Sequence, residues 1–147
     1  MDLDSFTGGY NRAYAVVNIE AVRRNILKSR EFLPENTGII AVIKTDAYGH
    51  GAAKVADAVK DITAGFAVAT IDEAVELREA GITSHIIVLG YISPREYVAA
   101  IEHDIILSMF DYKQACALSE LAGAMGKCGR CHIKIDTGMN RIGLPAK

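Results

Sequence analysis

Five short apolar segments recur along the chain with a helix-like stretch between successive members, and this alternation limits the possible folds more than any other feature. GIIAVIK (38–44), GFAVATI (65–71), HIIVLGY (85–91), DIILSMF (104–110) and RCHIKIDT (130–137) are rich in β-branched residues and bounded by glycine or polar residues. Their near-continuous apolar character predicts strands of a parallel sheet covered on both faces. Between them, HGAAKVADAVKD, IDEAVELREAG, SPREYVAAIEH and DYKQACALSELAGAMG each carry a helical stripe. In the second of these, Ile71, Ala74, Val75 and Leu77 fall at helical spacing and Gly81 supplies a stop. Pro94 suits the first turn of the third, and Asp111 can cap the fourth. An earlier segment, AVVNIEAVRRNILKSREFL (15–33), predicts a short strand and then an amphipathic helix with Val22, Ile26 and Leu33 on or near one face.

The pattern is β-α repeated, with strand centres about 19 to 26 residues apart, so the chain is an α/β protein. Two architectures fit: an open doubly wound sheet and a (β/α)8 barrel. The first strand-to-helix turn has neither G-x-G-x-x-G nor P-loop glycines, which weakens the nucleotide-binding sheet. A barrel typically needs about 250 residues. At 147 residues, ending just after the fifth strand, the chain is then the N-terminal portion of a barrel. No internal repeat, low-complexity tract or charge block divides it.

Bulk properties remove several functional classes. The formal net charge is -2, so there is no basic footprint for nucleic acid or an anionic membrane. No apolar run reaches the roughly 18 residues of a membrane span. The N-terminus, MDLDSFTGG, is acidic and polar where a secretory signal would be basic and then apolar, and a cytoplasmic location is expected. The odd cysteine count of three fits reduced thiols. Cys128 and Cys131 form a C-x-x-C beside His132, but a structural zinc site wants four ligands and there is no second pair. Ordinary semi-buried thiols and no metal are expected.

Two stretches carry candidate chemistry. AVIKTDAYGHG (41–51) ends an apolar strand on a lysine. Ile40, Val42 and Lys44 share one strand face. If that face is the barrel interior, Lys44 sits at the C-terminal mouth, where barrel enzymes place their active sites. Partial desolvation there favours a neutral amine, the form that makes a Schiff base with a carbonyl. A surface lysine snorkelling from a strand end fits the same spacing. The loop after it has two glycines, which permit close backbone approach to a ligand. Its Tyr48 offers a hydroxyl, or else packs half-buried; His50 is a polar candidate, or else starts a helix.

The second stretch is HIKIDTGMNRIG (132–143), in which His132, Lys134 and Asp136 share one strand face and Ile133 and Ile135 the other. Inside a barrel such a polar set must pair internally or meet a ligand. A solvated edge strand is the competing reading, and the buried look of the other four strands favours the interior. Arg141 follows on the loop at the mouth, a fixed cation with a planar donor fork suited to a phenolate or carboxylate oxygen.

AVIKTDAYGHG closely resembles the cofactor-lysine motif of alanine racemases, and HIKIDTGMNRIG resembles that family's second barrel motif. RAYAVVNIEAVRRNI (12–26) is similar to the family's N-terminal segment, in which a short strand precedes the barrel. The resemblance runs in order over nearly the whole chain. It implies residues 1–147 of a barrel domain that binds pyridoxal 5'-phosphate (PLP), with the rest of the barrel and a C-terminal β domain lying outside this chain. By motif match Lys44 would hold PLP in Schiff-base linkage and act as catalytic base on the D-substrate side. Tyr48 would contact the phosphate and Arg141 the phenolic oxygen. Lys134 matches a position carbamylated in some members, where it orients the arginine. Thr45 stands where many members have alanine. The resemblance implies a homodimeric isomerase that interconverts L- and D-alanine for peptidoglycan. The opposite acid/base would be a tyrosine from the other subunit's C-terminal domain, so this chain alone is expected to be inactive. A serine or broad-specificity racemase is the nearest alternative. A non-catalytic PLP-carrier barrel and the decarboxylases of this barrel type lack the YGHG and DTGMNRIG segments.

Overall fold

The computed structural model describes residues 15–146. All five apolar segments form strands: β1 (Ile40–Val42), β2 (Gly65–Val68), β3 (His85–Val88), β4 (Ile106–Met109) and β5 (Arg130–Ile133). They make one parallel sheet in the order β1-β2-β3-β4-β5. This order decides between the two architectures left open by the sequence. A doubly wound sheet reverses its strand order at a switch point, whereas a barrel adds each strand beside the last. The sheet is the N-terminal part of a TIM-type barrel.

Five right-handed helices accompany the strands: α1 (Ile19–Arg30), α2 (Ala52–Val59), α3 (Ile71–Glu79), α4 (Tyr97–Glu102) and α5 (Tyr112–Ala124). Each starts or stops for a local reason. Asn18 caps α1 by accepting from Ala21 N. Thr70 and Glu73 form a capping box on α3, and Gly81 follows that helix at φ +84°. Pro94 opens a 3₁₀ turn, itself capped by Ser93 and Glu96, that leads into α4. Asp111 caps α5 through Lys113 N.

Residues that face one another across the register share a side of the sheet, and the two sides differ. Phe66 and Ile86, then Val68, Val88 and Leu107, point toward the helices. They form one core with Val55, Val59, Ile71, Ala74, Leu77 and Ala100. Val42, Ala67, Ile87, Ile106 and Arg130 line up on the other, concave side. Ala67, Ile87 and Ile106 are buried there, whereas Ile40 and Val42 are each 43% exposed on β1, at the sheet's edge. A closed barrel covers such edges by pairing them. Gly65 shows how closely the strands approach: a Cβ at this position would lie 2.6 Å from the carbonyl oxygen of His85.

Three expectations need correction. The short strand placed before α1 is absent over residues 15–18, where no described segment offers a ladder partner; the preceding residues lie outside the described part. Leu33 falls beyond α1, and only Val22 and Ile26 of the predicted stripe reach the core. The fifth strand does not run through 137. It stops at Ile133, and Ile135–Asp136 (β6) instead pairs with Leu144–Pro145 (β7). The reason is turn chemistry: the Asp136 carboxylate accepts from Gly138 N at 3.0 Å and from Asn140 N at 3.1 Å, which competes with a continued ladder.

Candidate functional site

Lys44 follows β1 at the C-terminal end of the sheet, after Ile43 has donated its N–H to Ala67 O at 2.9 Å. The backbone then turns the wrong way. Thr45, Asp46, Ala47 and Tyr48 are all left-handed, with φ of 54°, 52°, 52° and 57°. Left-handed geometry costs L-residues about 1–2 kcal/mol each, so four in a row need strong local support. Much of that support comes from two carboxylates. Glu73 Oε1 accepts from Thr45 N at 2.6 Å. Asp46 Oδ1 accepts from Ala52 N at 2.6 Å, joining the turn to the start of α2. Ala47 is buried beneath the turn and donates its N–H to Ile43 O. Gly49 and Gly51, at φ +82° and +88°, carry the chain out of the turn.

The Arg141 loop is built in the same spirit. Beyond β5, Lys134 N donates to Met109 O and Leu144 N donates to Lys134 O, each at 2.8 Å. Between them the Asp136 carboxylate gathers the N–H groups of Gly138 and Asn140. Gly143, at φ +138°, closes the loop where a Cβ would meet Asp136 N at 2.6 Å. Lys44 and Arg141, widely separated in sequence, thereby line one cavity of about 240 Å³ with Ala69, Leu89, Gly90, Tyr91 and Ile142. An amine and a guanidinium at one cavity suit a ligand with a carbonyl next to an anionic oxygen. PLP, with its aldehyde adjacent to a phenolic oxygen, has this pattern.

The other expected site residues lie elsewhere. Tyr48 is 60% exposed and lines a separate apolar hollow with Val22, Ile26, Val42 and Val55. Lys134 is half-buried, does not line the Lys44 cavity, and donates Nζ to Ile135 O at 3.3 Å. His132 is paired in register with Ser108 at the sheet's end, while Asp136 has left the sheet to organise its loop. The polar face inferred for this strand is therefore divided. A larger hollow of about 520 Å³ lies between the segment before α1 and the start of α2; Asp46, His50, Lys54 and Glu76 line it, and neither Lys44 nor Arg141 does. Cys128 and Cys131 are exposed and carry no disulfide.

Sequence reasoning passed over Glu73. Its capping-box spacing after Thr70 was legible as a helix start. Its bond to Thr45 was not, because that contact joins two separate β-α units.

The Asp136 carboxylate is held below the ordinary aspartate range, first by the Gly138 N–H and next by that of Asn140, against a smaller opposing effect of desolvation. A depressed value means that the carboxylate steadies the loop at pH above the ordinary aspartate range. That support is lost as pH falls through the depressed value. Amide hydrogen exchange at Gly138 and Asn140 is expected to quicken across that acid window relative to the intrinsic rate. In Asp136→Ala the protection is expected to be weak at every pH.

The chain matches a family model described as alanine racemase, N-terminal domain, over residues 17–147. It is 39% identical over 143 residues to an alanine racemase 2 of Oceanobacillus iheyensis, covering 95% of this chain and 36% of that protein. Among solved structures, an alanine racemase of Clostridium difficile 630 superposes with a TM-score of 0.85 at 35% identity, over 90% of this chain and 37% of that one. A histidine racemase from Leuconostoc mesenteroides subsp. sake gives 0.79 at 31% identity, over 86% and 34%. The chain thus spans about a third of the length of the relatives it matches.

Proposed function

The chain belongs to the alanine racemase N-terminal domain family, and from that membership we propose that it supplies the cofactor lysine of a PLP-dependent racemase interconverting L- and D-alanine. The observation that carries this reading is the convergence of Lys44 and Arg141 on one cavity at the C-terminal end of the sheet. When bound, PLP supplies a conjugated ring that takes up the electron pair left by a departing α-proton.

The roles of the chain's residues follow from their chemistry. The Lys44 amine would hold the cofactor at its carbonyl carbon and, when free, would take or return the α-proton on one face. The Arg141 guanidinium would hold the phenolic oxygen by a charge-assisted hydrogen bond. Leu89, Tyr91 and Ile142 supply apolar surface to the cavity around the amine. Tyr48, the last residue of the left-handed turn, is assigned to the phosphate by motif alone. Lys134, if carbamylated, is assigned to orienting Arg141.

Racemisation needs a second proton carrier on the opposite face, and we assign it to the partner subunit of a homodimer. The surrounding biology we propose is cytoplasmic D-alanine supply for peptidoglycan. Among the described residues no helix is long and apolar enough to cross a membrane. A second reading keeps the chemistry and changes the side chain. The similarity to a histidine racemase shows that this part of the fold is shared with a protein named for a larger substrate.

The test is conversion of L-alanine to D-alanine by the chain in its native gene context with PLP, with L-serine and L-histidine run in parallel. Fastest turnover of alanine is expected. Turnover confined to another amino acid moves the assignment to that substrate, and no α-proton exchange with any of the three overturns racemisation.

A further inference from the structure

We propose that Glu73 is a positioning residue for Lys44: its carboxylate clamps the Thr45 N–H and so fixes the left-handed turn that directs Lys44 into the cavity. The proposal rests on the reading of Lys44 as the cofactor lysine. Glu73 lies on α3, outside the two motifs that carry that reading.

Three donors converge on this one half-buried side chain. Oε1 accepts from Thr45 N at 2.6 Å, while Oε2 accepts from Ala69 N at 2.7 Å and Thr70 N at 3.4 Å. A carboxylate can do this because both of its oxygens are acceptors. Thr45 is the residue directly after Lys44 and the first of four left-handed residues, so its N–H is where the unfavourable turn begins. Ala69 lines the Lys44 cavity. The clamp therefore binds the lysine's backbone to the cavity wall supplied by the β2–α3 loop.

The structure contains its own control. Ser93 and Glu96 form the same capping box one β-α unit later, with Glu96 Oε2 accepting from Ser93 N at 3.0 Å. No bond from Glu96 to another β-α loop is found among the described residues, so Glu96 is a cap only. A role for Glu73 confined to helix capping would make the two residues equivalent.

The experiment compares Glu73→Gln, Glu73→Ala and Glu96→Gln. Glutamine keeps the size of glutamate but has one acceptor oxygen. With that oxygen on the Ala69 and Thr70 donors, its amide nitrogen faces Thr45 N–H and the clamp is lost. Alanine removes both acceptors. Native-state hydrogen exchange at the Thr45 amide is expected to rise at least about tenfold in the Glu73 variants, matching the loss of a hydrogen bond to a charged group. Glu96→Gln is expected to leave Thr45 at the wild-type rate. In parallel, the yield of borohydride-trapped PLP on Lys44 is expected to fall in the Glu73 variants and hold in Glu96→Gln.

Thr45 exchange within twofold of wild type in a folded Glu73 variant overturns the clamp, and so does an equal response to Glu96→Gln. If Thr45 responds as expected but wild-type Lys44 takes no PLP, the clamp stands as a backbone device and the cofactor reading falls.

Discussion

Lys44→Ala is expected to abolish site-specific capture of PLP and to lower amino-acid racemisation by at least about 10⁴-fold, the upper end of what a positioned acid–base group contributes. Among the residues lining the cavity, Lys44 carries the only amine. Arg141 offers a delocalised guanidinium that makes no Schiff base, so it is no substitute. The same amine is assigned to holding the cofactor and to moving the α-proton, so one substitution removes both functions. Stability should change little, within about 0.5 kcal/mol, because Lys44 is only partly buried and makes no ion pair among those found in the described residues. The check is paired: borohydride trapping followed by peptide mapping for the cofactor, and denaturant unfolding for the fold. An unfolded variant would lose both signals, whereas the expected variant loses only the first.

Phe66→Ala is expected to lower folding stability by about 3–5 kcal/mol, the usual range for emptying a buried aromatic site. Phe66 is fully buried on the helix side of β2, in the same core as Ile86, Val55 and Leu77. Its neighbours belong to strands and helices held by separate ladders and caps, so they cannot collapse freely into the gap. Against a typical stability of about 5–15 kcal/mol, the loss is a large share. Val42→Ala provides the contrast: Val42 lies on the concave side of β1 and is 43% exposed, so less of its side chain leaves water on folding. Urea unfolding of both variants, with the slope m unchanged, separates the helix-side core from the concave face. Equal losses would mean that the two sides of the sheet are packed alike.

Local signals in the sequence carried most of the architecture. The five apolar segments became the five strands, and Asp111, Pro94 and Gly81 acted at the helix ends where their chemistry places them. The choice between doubly wound sheet and barrel was not local, because it depends on which strand lies beside which. Sequential pairing from β1 to β5 supplied that information.

The site was legible in part for similar reasons. Lys44 stood out as a charge at a strand end and Arg141 as one on the loop after the fifth strand, and both line the cavity. The left-handed turn gave no warning, since Thr45, Asp46, Ala47 and Tyr48 include no glycine; the glycines fall just after it. That turn carries Tyr48 to a different hollow from Lys44, which simple strand alternation does not foresee. In the second motif, the period-2 pattern of His132, Lys134 and Asp136 outweighed the turn signal of Asp136, Gly138 and Asn140. The structure reverses that weighting, with Asp136 serving the loop that carries Arg141. Glu73 was legible as a cap but not as a tether, because its partner Thr45 belongs to another β-α unit.

The most direct test of the central claim is to mix the chain with PLP, reduce with borohydride and map the modified peptides by mass spectrometry. One dominant adduct, on Lys44, is expected, because that amine lines one cavity with a guanidinium able to hold the phenolic oxygen. Adducts scattered over exposed lysines such as Lys28 and Lys60, with none enriched on Lys44, would contradict it.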